Sequence, residues 1–136
     1  MQTSPAPERS TEAQVWAVIK NFNRAFAAND PANYFTYIDD YITVITPSNP
    51  YRVEGIIDDR EEFEYGLRTG ANRVAYFQEM QPKVQLFGET AVVTYFSRGS
   101  YGRESEEKTY YFKETDVLVR KSGTWKIVHI HVSATP

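Results

Sequence analysis

The sequence predicts an α+β domain in which helices come first and a long, strongly curved antiparallel sheet wraps around them like a cone. Three observations carry this expectation. Apolar residues recur at helical spacing in the first half of the chain, notably at Val15, Ile19, Phe22 and Phe26. From residue 73 the pattern changes to four long β-type runs separated by breaks of hairpin length. No linker, repeat or low-complexity segment divides the 136 residues, a length that buries about two thirds of the unfolded surface in one core.

In chain order, residues 1–10 read as a short flexible tail and residues 11–136 as one domain. Thr11 followed by Gln14 forms a capping-box pattern that opens the first helix. Asn29 suits the left-handed position that ends it, and Asp30-Pro31 reads as an N-cap with Pro at the first helical position of a short second helix through about Tyr37. The β-branched and aromatic run Tyr41 to Thr46 predicts the first strand, which Pro47 stops. Asp58 with Glu61 offers a cap for a third helix carrying Phe63 and Leu67 and ending at Gly70. On this reading the charge run Asp58-Asp59-Arg60-Glu61-Glu62 is a solvated helix start whose acids favour the positive end of the helix dipole. Residues 73–87, 90–101, 106–120 and 124–133 then form an antiparallel meander.

The closing hairpin defines the faces of the sheet. With Gly123 as the left-handed bulge of a three-residue loop, Arg120 pairs with Thr124. Alternation then places Asp116, Leu118, Lys126, Val128, Ile130 and Val132 on one face, and Trp125, Ile127, His129 and His131 on the other. Both faces are largely apolar. A domain of this size has helices for one face only, so the other calls for cover by a second subunit.

Composition limits the classes of function. A formal charge of −3 supplies no basic footprint for nucleic acid or an anionic membrane. The absence of Cys excludes disulfides, thiolate metal sites and cysteine nucleophiles, and two His without HExxH spacing give no zinc motif. No metal or cofactor is expected. The first ten residues lack the apolar core of a signal peptide or a membrane span, which points to a soluble, cytoplasmic protein.

Several groups of residues match one family in order. Glu114-Thr115, Val117, Arg120, Gly123, Trp125, Val128-His129, His131 and Ser133 form its closing hairpin. Asp39, Ile42-Thr43, Pro47, Val53-Glu54-Gly55, Phe63, Pro82, Gly88-Glu89, Ala91 and Tyr95 precede them. Together these resemble the nuclear-transport-factor-2-like superfamily, which includes ketosteroid isomerases and SnoaL-like cyclases, and within it the association domain of calcium/calmodulin-dependent protein kinase II. The resemblance spans about residues 11 to 135. It implies a subunit that dimerises through its sheet and can stack dimers into a ring. The kinase itself is missing: there is no Gly-rich loop with a strand Lys, no HRD and no DFG.

The same resemblance implies a cavity lined by basic groups that suit a carboxylate. Here the matching positions are Tyr76, Ser97, Asp116 and Val132, none of them basic. Such a cavity should not prefer anions, and Asp116 favours a cation or a hydroxylated ligand. Arg98, one step from Ser97, points to the opposite face by alternation. Tyr95 shares parity with Ser97, so Tyr76, Tyr95, Ser97, Asp116 and Val132 are the ligand-pocket candidates. Trp125, His129 and His131 are candidates for an interface or the pocket. The two histidines lie on one face without a third metal ligand, and hydrogen-bonded or interface roles suit them best.

Three functions follow as expectations. The first is a homo-oligomerising, hub-like protein with a small ligand cavity. The second is a SnoaL- or isomerase-type enzyme in which Asp116, Asp39 or Asp40 acts as base and Tyr76 or Tyr95 as hydrogen-bond donor to an enolate. The third is a binding module without chemistry.

Overall fold

The computed structural model describes residues 10–135, so the expected tail lies outside the described residues except for Ser10. Helix α1 (Glu12–Ala27) opens with the reciprocal Thr11–Gln14 capping box. It presents Val15, Ile19 and Phe22 to the core, and Asn23, one turn after Ile19, is buried on the same stripe. Asn29 adopts the left-handed conformation at φ 55°. Its side chain bonds both backbone groups of Val74, accepting from the N–H at 2.8 Å and donating to the carbonyl at 2.9 Å. The helix is thereby tied to the strand that starts 45 residues later.

Helix α2 (Pro31–Tyr34) carries the Asp30 cap and runs into a single 3-10 turn, Phe35–Tyr37. Strand β1 (Ile38–Ile45) and the two-residue β2 (Val53–Glu54) precede helix α3 (Ile56–Thr69). Gly55 is the residue that caps α3, at φ 90° and without a side-chain bond, so the expected Asp58 cap is replaced by one three residues earlier. Asp59 consequently lies inside the first turn and is buried. Gly70, at φ 78°, closes the helix as expected.

Strands β3 (Val74–Phe87), β4 (Thr90–Tyr101), β5 (Lys108–Lys121) and β6 (Thr124–Ala134) form the antiparallel meander. The six-stranded order is β2-β1-β6-β5-β4-β3, with β1 parallel to β6, which makes the sheet mixed. The inner face packs Ala91, Val93, Tyr95, Leu118, Ile127 and Ile130 against α1.

Bulges in β6 and β3 set which side chains face inward. In β6, Leu118 opposes Ile127 and Val117 opposes His129, leaving Val128 as the extra residue. The closing loop is also shorter than expected. Lys121 pairs with Thr124 across a two-residue turn, Ser122 at φ 50° and Gly123 at φ 78°, in place of the Arg120–Thr124 pairing. This correction puts Trp125 and Ile127 on the inner face with Leu118. Beyond Val128 the parity flips, so Ile130 and Val132 also face inward while His129 and His131 face outward. In β3 the extra residue Ala75 lets Val74 and Phe77 both point inward and turns Tyr76 outward.

The Asn29 clamp is a stability determinant. Asn29→Ala removes two side-chain bonds to Val74 and places an L-residue without a compensating side chain in the left-handed region. It should cost about 2–3 kcal/mol, read as a lower urea midpoint at unchanged m-value.

Candidate functional site

The helices do not cover the whole inner face. Between the second half of α1, α3 and the far ends of β4, β5 and β6 lies a cavity of about 870 Å³. Eight aromatic side chains line it: Phe22 and Phe26 from α1, Tyr34 from α2, Phe63 from α3, and Phe77, Tyr101, Tyr110 and Phe112 from the sheet. Phe26 meets Phe77 edge-on at 5.4 Å between centroids, and Tyr34 lies 4.5 Å from Phe63. An apolar wall with a few convergent polar groups is the usual form of a small-molecule site.

The polar part of the wall is a carboxyl cluster. Glu114 lines the cavity with Asn23 and Ser97, and fully buried Asp116 lies two residues along the same strand on the same face. The Tyr95 hydroxyl contacts Glu114 Oε2, Asp116 Oδ2 at 3.3 Å and Asn23 Oδ1 at 3.1 Å. Asn23 Nδ2 donates to Glu79 Oε2 at 2.7 Å, joining a third carboxylate to the group. Burial raises the Asp116 pKa to about 7, opposed in part by a hydrogen bond from Glu114. Burial first, then the Asp116 charge and that same hydrogen bond, push Glu114 well above the ordinary range. Asp116 Oδ1 is buried without an N–H or hydroxyl donor, so a proton on Glu114 is what can serve the pair.

A second acid faces the cavity from α3. Asp59 is 8% exposed, and its Oδ2 is buried with no hydrogen-bond partner. Burial, reinforced by Glu62, raises its pKa to about 7. Tyr34 lies between the two acidic sides. Burial and the charges of Asp59, Glu114 and Asp116 hold its hydroxyl firmly protonated. Tyr101 is pushed up to about 12 by burial.

Of the pocket candidates read from the sequence, Ser97 and Val132 line the cavity, and Tyr95 and Asp116 form the buried network immediately behind Glu114. Tyr76 does not join them. The Ala75 bulge turns it to the outer face, where its ring lies beneath the Arg98 guanidinium at 5.9 Å and its hydroxyl donates to Gln78. Trp125 is buried at the opposite end of the core, its Nε1 donating to Ser10 Oγ at 3.1 Å. His129 Nδ1 lies 2.7 Å from Thr43 Oγ1 and His131 Nε2 3.4 Å from Ser133 Oγ, both on the outer face. Asp39 and Asp40 are not in the cavity wall. Burial acts to raise Asp39, but the Tyr41 N–H and Lys121, 2.9 Å away, outweigh it and hold the carboxyl below its ordinary range. That suits a structural ion pair and not a base.

Sequence reasoning passed over Asn23, Asp59 and Glu114 as site residues. Each has a periodicity signal: Asn23 follows Ile19 by one turn, Asp59 precedes Phe63 by one turn, and Glu114 shares strand parity with Asp116. Among the described residues, no group of three or more His, Asp or Glu side chains is arranged to hold a metal ion, and no helix is long and apolar enough to cross a membrane.

A curved sheet closed over helices with a cavity at its open end defines an α+β fold of the nuclear-transport-factor-2-like class. An NTF2-like protein of unknown function from Pseudomonas putida KT2440 superposes with a TM-score of 0.81 at 21% identity, over 94% of this chain and 90% of that one. A ketosteroid-isomerase-like protein from Parabacteroides distasonis gives 0.74 at 23% identity over 93% and 89%. The chain belongs to the calcium/calmodulin-dependent protein kinase II association-domain family, whose sequence model matches residues 11–136. In keeping with this, the S. rosetta CaMKII hub gives a TM-score of 0.76 at 26% identity, over 97% of this chain and all of that one. Among proteins of curated function, none matches the chain in sequence.

The raised carboxyl pKa values make stability pH-dependent with a definite sign. Because the folded state holds protons that the unfolded state has lost, this stabilisation is complete below about pH 4 and disappears as pH rises through about 7. Urea denaturation should show stability falling between pH 5 and 8, with Asp59 alone contributing a loss on the order of 3 kcal/mol. Asp116→Asn should flatten the slope and stabilise the protein at pH 8. Asp39 has the opposite sign, and its contribution is lost only as pH falls below its ordinary range.

Proposed function

We propose that this chain is a homo-oligomerising association domain with a small-molecule cavity and no kinase activity of its own. The observation that carries this reading is the outer face of the sheet. Ile45, Phe96 and Tyr111 are exposed there on β1, β4 and β5, with Ile45 paired to His131, Phe96 to Lys113 and Tyr111 to Arg98. The helices occupy the other side, so no element among the described residues covers this face. A second copy offers the same surface of exposed apolar side chains among polar ones and can bury both at once, as a two-fold interface requires. Family membership and the similarity to a hub support the same assembly. Rings of dimers are the larger form to be tested.

A catalytic reading, a cyclase or isomerase acting on a small apolar substrate, has one observation in its favour. Carboxyl groups poised near neutrality, with a tyrosine hydroxyl among them, are the equipment of enolising enzymes. A turnover abolished by Asp116→Asn in a protein that still assembles would establish it.

Native mass spectrometry across a concentration series distinguishes the assembly states. The expected result is even multiples of the subunit mass. Phe96→Glu places a charge in the apolar face and should raise the dimer dissociation constant by at least about a hundredfold, with the circular dichroism spectrum unchanged. A wild-type monomer at all concentrations would remove the assembly reading.

A further inference from the structure

We propose that the cavity receives a small organic cation, an ammonium group on an apolar or aromatic body, with the charge met by Asp59 and Glu114 and the body lying against the aromatic wall. This rests on the reading of the cavity as a ligand site and names the chemical class of its ligand.

Three independent features point the same way. Asp59 is more than nine-tenths buried, lines the cavity, and leaves Oδ2 without a donor. A carboxyl group at that depth normally has a partner, and an ammonium reaching this one from the cavity supplies it. On the facing wall Glu114 is backed by Asp116 and, through Tyr95 and Asn23, by Glu79. No ion pair with Lys or Arg neutralises Asp59, Glu79, Glu114 or Asp116 among the described residues. The basic side chains at the cavity, Arg103 and Lys108, are exposed, and Arg103 is engaged with the Thr69 carbonyl at 2.8 Å. Third, the space between the acids is bounded by aromatic side chains such as Phe22, Phe26, Tyr34 and Phe77, a lining that suits a cation as well as an apolar body. The acids are spread over two walls and not gathered as metal ligands, which favours an extended organic cation over a bare ion.

Binding should be linked to protons. The titratable groups facing Glu114 are Glu79 from β3, Tyr95 from β4, Asp116 on its own strand and Tyr34 from α2. Those facing Asp59 are Glu62 on its own helix and Tyr34. None is basic. An ammonium therefore competes with protons for the same carboxylates, and its affinity rises as pH increases.

Isothermal titration of the 136-residue chain with benzylammonium, benzyl alcohol and benzoate separates charge from shape. Benzylammonium is expected to bind at least about tenfold more tightly than either analogue, and to gain about tenfold between pH 6 and 8. Glu114→Gln and Asp59→Asn, each confirmed as folded by circular dichroism, should each weaken it by about tenfold while leaving benzyl alcohol unchanged. The wild-type comparison stands without the variants. Equal or tighter binding of benzyl alcohol or benzoate would overturn the cation assignment and leave a ligand cavity of other preference. No heat and no melting shift with any of the three would overturn both the assignment and the cavity's role. Neither result bears on assembly, which the native mass reads separately.

Discussion

A helix of 16 residues rises about 24 Å, whereas a strand of 14 residues extends about 46 Å. Helix α1 therefore cannot cover the inner face of β3, β4 and β5 from end to end. It is packed against the half of the sheet that carries Ala91, Val93 and Leu118. The other half, with Ser97, Tyr101 and Phe112, is roofed only at a distance by α3, and the cavity occupies the difference. The mismatch in length between helix and strand thus creates the site, and the sheet's curvature closes it.

At the boundary between filled and empty halves, the chain changes from apolar to acidic. Along β5 the inward positions read Leu118, Asp116, Glu114 and Phe112, and along β4 Val93, Tyr95 and Ser97. The two neighbouring carboxyl groups, Glu114 and Asp116, are costly in a low-dielectric interior. Tyr95 and Asn23 reduce the cost by joining them in one hydrogen-bonded group, and protons retained near neutrality reduce it further. Where the family resemblance implies positive charge, this chain has reversed the electrostatic sign while retaining the fold.

Much of the architecture was legible because local rules decide it. The capping box at Thr11, the left-handed Asn29, the Asp30-Pro31 start and the Gly70 stop each depend on residues within a few positions. The misplaced features depend on insertions with no distinctive residue. Ala75 and Val128 are ordinary strand residues, yet each adds one step and reverses the parity of the strand beyond it, so Tyr76 leaves the cavity and Trp125 separates from His129 and His131. Asp59 was concealed in a different way. In a run of five charged residues all look solvated, and only the start of α3 at Gly55 rotates this one inward. The candidate site was accordingly half visible: Ser97, Asp116 and Val132 through the family resemblance and Tyr95 by strand alternation with Ser97, but not the acids that face them across the cavity or reach into it.

The parallel pairing of β1 with β6 joins Thr43 to His129 and Ile45 to His131, residues 86 positions apart. During synthesis, β1 leaves the ribosome early and has only the two residues of β2 beside it. Its main ladder partner is the last strand to emerge. The meander can zip up hairpin by hairpin from neighbouring strands, but the sheet cannot be completed on this side until the C-terminal strand is free. In the interval, the unpaired edge of β1 and its apolar Ile42 and Val44 are open to other nascent chains, so this seam is where molecular chaperones would have most to protect.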